Sequence, residues 1–131
     1  MCWISETTSS HSCKRLKKTW RINKPINCKT SNVIYKLTCT KCRDFLYIGE
    51  TKRRLQTRIG EHRRSITNKL NTPVGKHFAK GHGKNPAAYL RVVGIEKIYG
   101  KPDKIDRIRK EREKLWIARY DATEFGANVK E

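Results

Sequence analysis

"NVIYKLTCTKCRDFLYIGET", residues 32–51, carries two tyrosine-bearing apolar runs, Val33-Ile34-Tyr35 and Tyr47-Ile48-Gly49. A cysteine pair, Cys39 and Cys42, sits between them. Alternation across Asn32–Thr38 puts Val33, Tyr35 and Leu37 on one face and Ile34 on the other, the signature of a strand. Phe45–Gly49 reads as a second strand, and the intervening "CTKCRD" makes the pair an antiparallel hairpin. Gly49 is expected to serve through its backbone, allowing a close turn out of the second strand.

Downstream, Thr51 can cap a helix running to about Ile66, in which Leu55, Ile59, His62 and Ile66 recur at helical spacing. In "NTPVGKHFAKGHG", Thr72 is a candidate N-cap and Pro73 a candidate first helical residue, so a short helix ends near Gly81. Tyr89–Ile98 is rich in β-branched residues and reads as a third strand. "GKPD" is a turn, and Asp103 can cap a long helix to about Tyr120, with Ile105, Ile108, Arg112, Leu115 and Trp116 on one side. Strand, strand, helix, short helix, strand, helix describes a small mixed α/β (α+β) sandwich built on an antiparallel sheet. Residues 1–31, polar at first and then basic, offer few core candidates and read as an N-terminal arm or linker, leaving 32–131 as the folded domain.

The 131-residue chain is sized for one domain. Its formal net charge is +19, from 31 Lys and Arg against 12 Asp and Glu. So large an excess calls for a polyanionic partner, and nucleic acid is favoured because each neutralised phosphate releases counterions. A membrane is not expected. No apolar run approaches the roughly 18 residues of a span, and no basic helix shows a broad Trp, Phe and Leu face. "MCWISETTSS" lacks the basic and apolar regions of a secretory signal, so five cysteines that include a C-x-x-C favour metal over a disulfide framework.

Several reactive groups can converge. The hairpin brings Tyr35 and Tyr47 side by side, and Arg58 and His62, four residues apart, share a helix face. Glu113 is an acid in a helix crowded with Lys and Arg, with Glu111 its competitor. A phenol, a guanidinium, an imidazole and a carboxylate suit metal-assisted phosphodiester cleavage: the carboxylate holds a hard cation, the guanidinium clamps phosphate, and phenol or imidazole moves the proton. Singly, each has a plainer reading as strand core, solvated arginine, boundary histidine or half of a surface ion pair worth little. Cys39-x2-Cys42 with His77-x4-His82 supplies four ligands suited to tetrahedral Zn²⁺. The plainer alternative is two free thiols and two surface histidines. Cys28 is near enough in sequence to substitute for a histidine, while Cys2 and Cys13 look incidental.

In this order, "VIY…YIG" followed by Thr51, Leu55, Arg58 and His62 resembles the GIY-YIG endonuclease family. C-x2-C, "TPVGKHF" and E-x2-W-I…G-x-N are similar to the endonuclease domain of Penelope-like retroelements, over Cys28 to Asn128. Val33 stands where the family name has glycine, and "FGAN" lacks the leucine expected before Asn128. The resemblance implies three antiparallel strands flanked by helices, and nicking of one DNA strand with a single divalent metal, Mg²⁺ or Mn²⁺, on Glu113. It makes Tyr35 the general base or water-orienting group. Tyr47 and Arg58 would hold the scissile phosphate, His62 would assist the proton, and Asn128 would support the site. It strengthens the Cys39, Cys42, His77, His82 set as a structural zinc site. It also implies a reverse transcriptase domain in the same polypeptide, primed by the nick, with element RNA as a further partner and a nuclear location. A zinc-stapled binding module without activity, and a homing or repair nuclease, are the alternatives.

Overall fold

The structure is a computed structural model that describes residues 10–13, 16–42 and 45–128. Trp3 and Cys2 lie outside those residues. A short hairpin, β1 (Ser10–Cys13) and β2 (Lys18–Arg21), precedes the main sheet. That sheet holds β3 (Val33–Cys39), β4 (Leu46–Thr51) and β5 (Leu90–Lys97) in the order β4-β3-β5, all antiparallel. Helix α1 (Leu55–Thr67) and helix α2 (Pro73–Phe78) follow β4, and α3 (Ile105–Tyr120) follows β5. The three-stranded antiparallel sheet flanked by helices is the one expected.

Strand β3 is buried on both faces, as a central strand covered on two sides must be. Val33, Tyr35 and Leu37 pack with Leu55, Ile59 and Ile66 of α1 and Val74 and Phe78 of α2. Ile34 points the other way, toward Trp116 and Tyr120 of α3 and Cys13 of the hairpin. The alternation in residues 32–38 was therefore a division between two cores, one under α1 and α2 and one under α3.

The segment read as an arm has a packed place over its described part. Ile22, Ile26 and Cys28 are buried, and Trp20 lies on Trp116 with ring centroids 5.4 Å apart. Few apolar residues are needed, because each fills a gap in a sheet that already exists. The same segment starts α1. Its N-cap, Arg54, makes no side-chain cap, and the first free N–H groups are taken by carbonyls of the preceding segment instead. Leu55 N donates to Thr30 O at 2.9 Å and Gln56 N to Cys28 O at 2.8 Å. Thr51, expected as the cap, is instead the last residue of β4, and its Oγ1 accepts from Arg53 N at 3.1 Å in a turn. Likewise α3 begins after Lys104 with no side-chain cap, so Asp103 belongs to the turn before it. Thr72 does cap α2, its Oγ1 accepting from Gly75 N at 3.0 Å with Pro73 next in line.

Candidate active site and metal centre

Tyr35 lies mid-β3, paired with Gly49 on one side and Gly94 on the other. The first glycine leaves room for Tyr35 and the second for Ile26. A Cβ on Gly49 would fall inside the Tyr35 ring, and one on Gly94 would meet Ile26 at 2.8 Å. Gly49 thus serves as the floor of the tyrosine rather than as a turn at the strand end. A register shift in the β3–β5 ladder falls between Ile34 and Tyr35, the kind of irregularity that re-aims a side chain. Tyr47 is opposite Leu37 rather than Tyr35. The two tyrosines are therefore diagonal neighbours on one face, within reach of the same partners.

Those partners come from α1. His62 is buried, and its Nε2 shares a 2.7 Å hydrogen bond with the Tyr35 hydroxyl. Its ring centroid lies 5.6 Å from that of Tyr47. One turn earlier Arg58 acts on the hydroxyls of both tyrosines, and its Nη1 donates to Glu61 at 3.1 Å. Burial raises the pKa of both phenols, with Arg58 pulling against it. Burial, and then the Arg58 charge, bring His62 down to about 4, so its imidazole is neutral near pH 7. A neutral imidazole against a phenol is a ready proton acceptor.

Glu113 of α3 completes the group. It is half-buried, and its charge pushes both phenols upward, so it faces the tyrosines. Its competitor Glu111 points outward, with 68% of its side chain exposed and Arg107 at 3.9 Å. Tyr35, Tyr47, Arg58, His62 and Glu113 thus meet at one place, supplied by two strands and two helices. Asn128 stands apart from the hydroxyls. Its Oδ1 accepts from Ile48 N and its Nδ2 donates to Ile48 O, both at 2.8 Å. With Ala127 N on Leu46 O at 2.7 Å, it pins the open edge of β4 on either side of Tyr47. Gly126 lets the chain come that close, since a Cβ there would sit 2.6 Å from Leu46 O.

One participant was not anticipated. Arg109 is almost fully buried and bonds Glu50 of β4, Asn32 Oδ1 at 2.9 Å and Asp106 Oδ1 at 2.8 Å. It lies one turn before Glu113, so it ties the helix bearing the acid to the strands bearing the tyrosines. Its place on the buried stripe, four residues after Ile105, was the available signal.

The ligand atoms of Cys39, Cys42, His77 and His82 lie within 4.8 Å of one another. His82 Nε2 is 3.4 Å from Cys39 Sγ and 3.5 Å from Cys42 Sγ. A tetrahedral zinc with ordinary bond lengths would set sulfur and nitrogen about 3.6 Å apart. His82 Nδ1 donates to Lys80 O at 2.6 Å, which leaves Nε2 free to bind. His77 Nε2 is buried with no hydrogen-bond partner, and burial followed by the His82 neighbour lowers its pKa, favouring the ligating form. An orphan nitrogen beside two thiols and a pre-oriented imidazole fits zinc. Cys28 is outside this cluster and disulfide-bonded, and Cys13 is buried under the hairpin.

No protein-family model matches the sequence, and no curated protein matches it. Among solved structures, the catalytic domain of homing endonuclease I-TevI superposes with a TM-score of 0.59. That match is 19% identical and covers 77% of this chain and 100% of that domain. The fold resembles that of this solved domain. At this identity the likeness establishes architecture, and what the chain does must be argued from its own residues.

Proposed function

We propose that the protein is a metal-dependent DNA endonuclease that nicks one strand. The observation that carries the reading is the convergence of Tyr35, Tyr47, Arg58, His62 and Glu113, which a module that only binds DNA has no need to hold together. The endonuclease fold of the solved neighbour and the +19 charge support it.

Arg58, kept cationic by the two hydroxyls and Glu61 despite burial, grips the scissile phosphate beside Tyr47. Tyr35 orients the attacking water and takes its proton while passing its own to neutral His62 across their hydrogen bond. Glu113 provides the carboxylate for a single hard cation, Mg²⁺ or Mn²⁺, which when bound neutralises charge developing on the phosphate. Asn128 and Arg109 touch neither phosphate nor water, and hold β4 and α3 in place.

The zinc set, in the same order as in Penelope-like elements, supports a narrower assignment to the cutting module of such a retroelement. The nick would then supply the 3′ hydroxyl for a reverse transcriptase joined to this domain, in the nucleus and in company with element RNA. Relaxation of supercoiled plasmid with and without Mg²⁺ tests the activity. Wild-type protein should convert it to open circles only with the metal. Binding without conversion would reduce the protein to a nucleic-acid-binding module. Extension of the nicked end by the joined polymerase tests the narrower assignment.

A further inference from the structure

Helix α1 carries a single acid, Glu61, three residues after Arg58 and directly before His62. One oxygen of its carboxylate, Oε1, accepts from Arg58 Nη1 at 3.1 Å and from Arg53 Nη2 at 2.5 Å. The two guanidiniums come from different places. Arg58 lies on the helix, and Arg53 lies in the turn between β4 and α1, where Thr51 Oγ1 accepts from its backbone N–H. The bond from Arg53, joined by that from Arg58, holds the Glu61 carboxyl below the usual carboxylate range, so it is an anion near pH 7.

Stability gives a weak reason for this arrangement, since a partly exposed ion pair is worth little. Arg58 already has both tyrosine hydroxyls as partners. What the carboxylate adds is a fixed distance between two cations. Two guanidiniums on one carboxylate keep a net positive charge, and their nitrogens meet at a single oxygen. A phosphodiester has two unesterified oxygens, and guanidiniums held this close can donate to each. Among the described residues the Arg53 side chain bonds nothing but Glu61, so its other donors face solvent or DNA.

We infer that Arg53 and Arg58 form a two-guanidinium clamp on the scissile phosphate, with Glu61 as its positioning residue, an inference that rests on the cleavage reading. Glu61 touches neither phosphate nor water. It sets two side chains of many rotamers in one geometry before DNA arrives, so less freedom is lost on binding and the phosphate is better aligned. The turn at Thr51 then has a task as well, because it fixes where Arg53 leaves the end of β4.

The test measures duplex binding with Mg²⁺ withheld and nicking with Mg²⁺ present. Glu61→Ala, having lost an acid, should bind DNA at least as tightly as the wild type. At saturating DNA it should nevertheless nick about tenfold or more slowly, as expected for losing a hydrogen bond to a charged group. Glu111→Ala makes the same change of charge elsewhere and should keep the wild-type rate. Glu61→Gln, whose amide oxygen still accepts, should recover much of the loss. Arg53→Ala should make the salt dependence of binding shallower, by about 0.9 in the slope of log K against log salt for one phosphate contact. In the double variant the losses of rate from Arg53→Ala and Glu61→Ala should overlap rather than multiply. Wild-type nicking by Glu61→Ala, or an unchanged slope in Arg53→Ala, would overturn the inference and leave the cleavage reading standing. If the wild-type protein nicks no duplex, both fall.

Discussion

Tyr35 owes its position to an absence, since Gly49 keeps clear the volume its ring occupies. Gly49→Ala should therefore displace the ring, destabilising the protein by about 1–3 kcal/mol as overpacking does. Nicking should be lost with it, and thermal melting beside a plasmid assay reads both. Wild-type activity in that variant would mean the ring does not need its present place. Glu113→Ala should abolish nicking with DNA affinity nearly unchanged, whereas Glu111→Ala should leave both intact; the reverse result would transfer the metal to Glu111. His62 makes a pH prediction. Its pKa is drawn down to about 4 by burial and Arg58, so the imidazole remains a competent acceptor well below pH 6.5. The acid limb of the rate profile should fall near that lower value, and a limb centred at 6.5 would exclude His62 as the acceptor. The two carboxylates show the reach of sequence reasoning at this scale. The family resemblance, through E-x2-W-I, chose Glu113 over Glu111, and the structure turns the first toward the tyrosines and the second to solvent. The task of Gly49 was misplaced to the strand end, because it depends on the cross-strand ring of Tyr35. The ties of Arg109 to Glu50 and Asn32 span too much of the chain to be read from its helix position alone.

At the scale of elements, legibility followed where hydrogen bonds and burial are local. The buried positions of α1 are Leu55, Ile59, His62 and Ile66, the four read from periodicity. The cap of α2 is made by Thr72, three residues from the N–H it accepts. Thr72→Ala should cost about 1 kcal/mol, visible as a lowered denaturation midpoint. The start of α1 was misjudged because its first donors are met by Thr30 and Cys28, more than twenty positions away. The hairpin β1–β2 escaped for the same reason, since His11 and Trp20 both pack on Trp116 and Tyr120 of α3. The proposed zinc site joins β3, a loop and α2, so its loss should be felt across all three. Purified protein should carry about one zinc per chain, the number a closed four-ligand site allows. Cys42→Ser should lower both that content and the melting temperature. Folded, active protein free of zinc would refute the structural role.

Over the whole molecule, two buried histidines on opposite sides of the sheet make stability depend on pH. His11, against Tyr120 Nδ1-to-hydroxyl at 2.6 Å, is lowered to about 4 by burial and then by Lys36, much as His62 is on the other side. Both folded values lie below the usual 6.5, so on acidification the unfolded chain takes up protons first. Stability is complete above about pH 6.5 and is lost as pH falls toward 4. Melting curves at pH 7.5, 6 and 5 should decline in that order, and a flat series would show that neither ring is buried as described. Charge acts at the same scale. DNA affinity should fall steeply with salt, log K dropping by about 0.9 per phosphate contacted for each decade. A flat dependence between low and physiological ionic strength would contradict a phosphate-bound complex.

Metal binding at the Cys39, Cys42, His77 and His82 cluster would have a kinetic side as well. His82 meets Cys39 across 43 residues of chain, and between them lie β4, α1 and α2. Strand β5 follows and must then find β3 from a distance, whereas β4 reaches β3 through a short hairpin. Pairings between remote segments are the slow step in assembling such sheets, because the intervening chain must be closed before any contact rewards it. A metal that fixes the C-terminal end of β3 to the segment just ahead of β5 shortens that search. Refolding should accordingly be faster when zinc is added at the start than when it is added after the chain has collapsed.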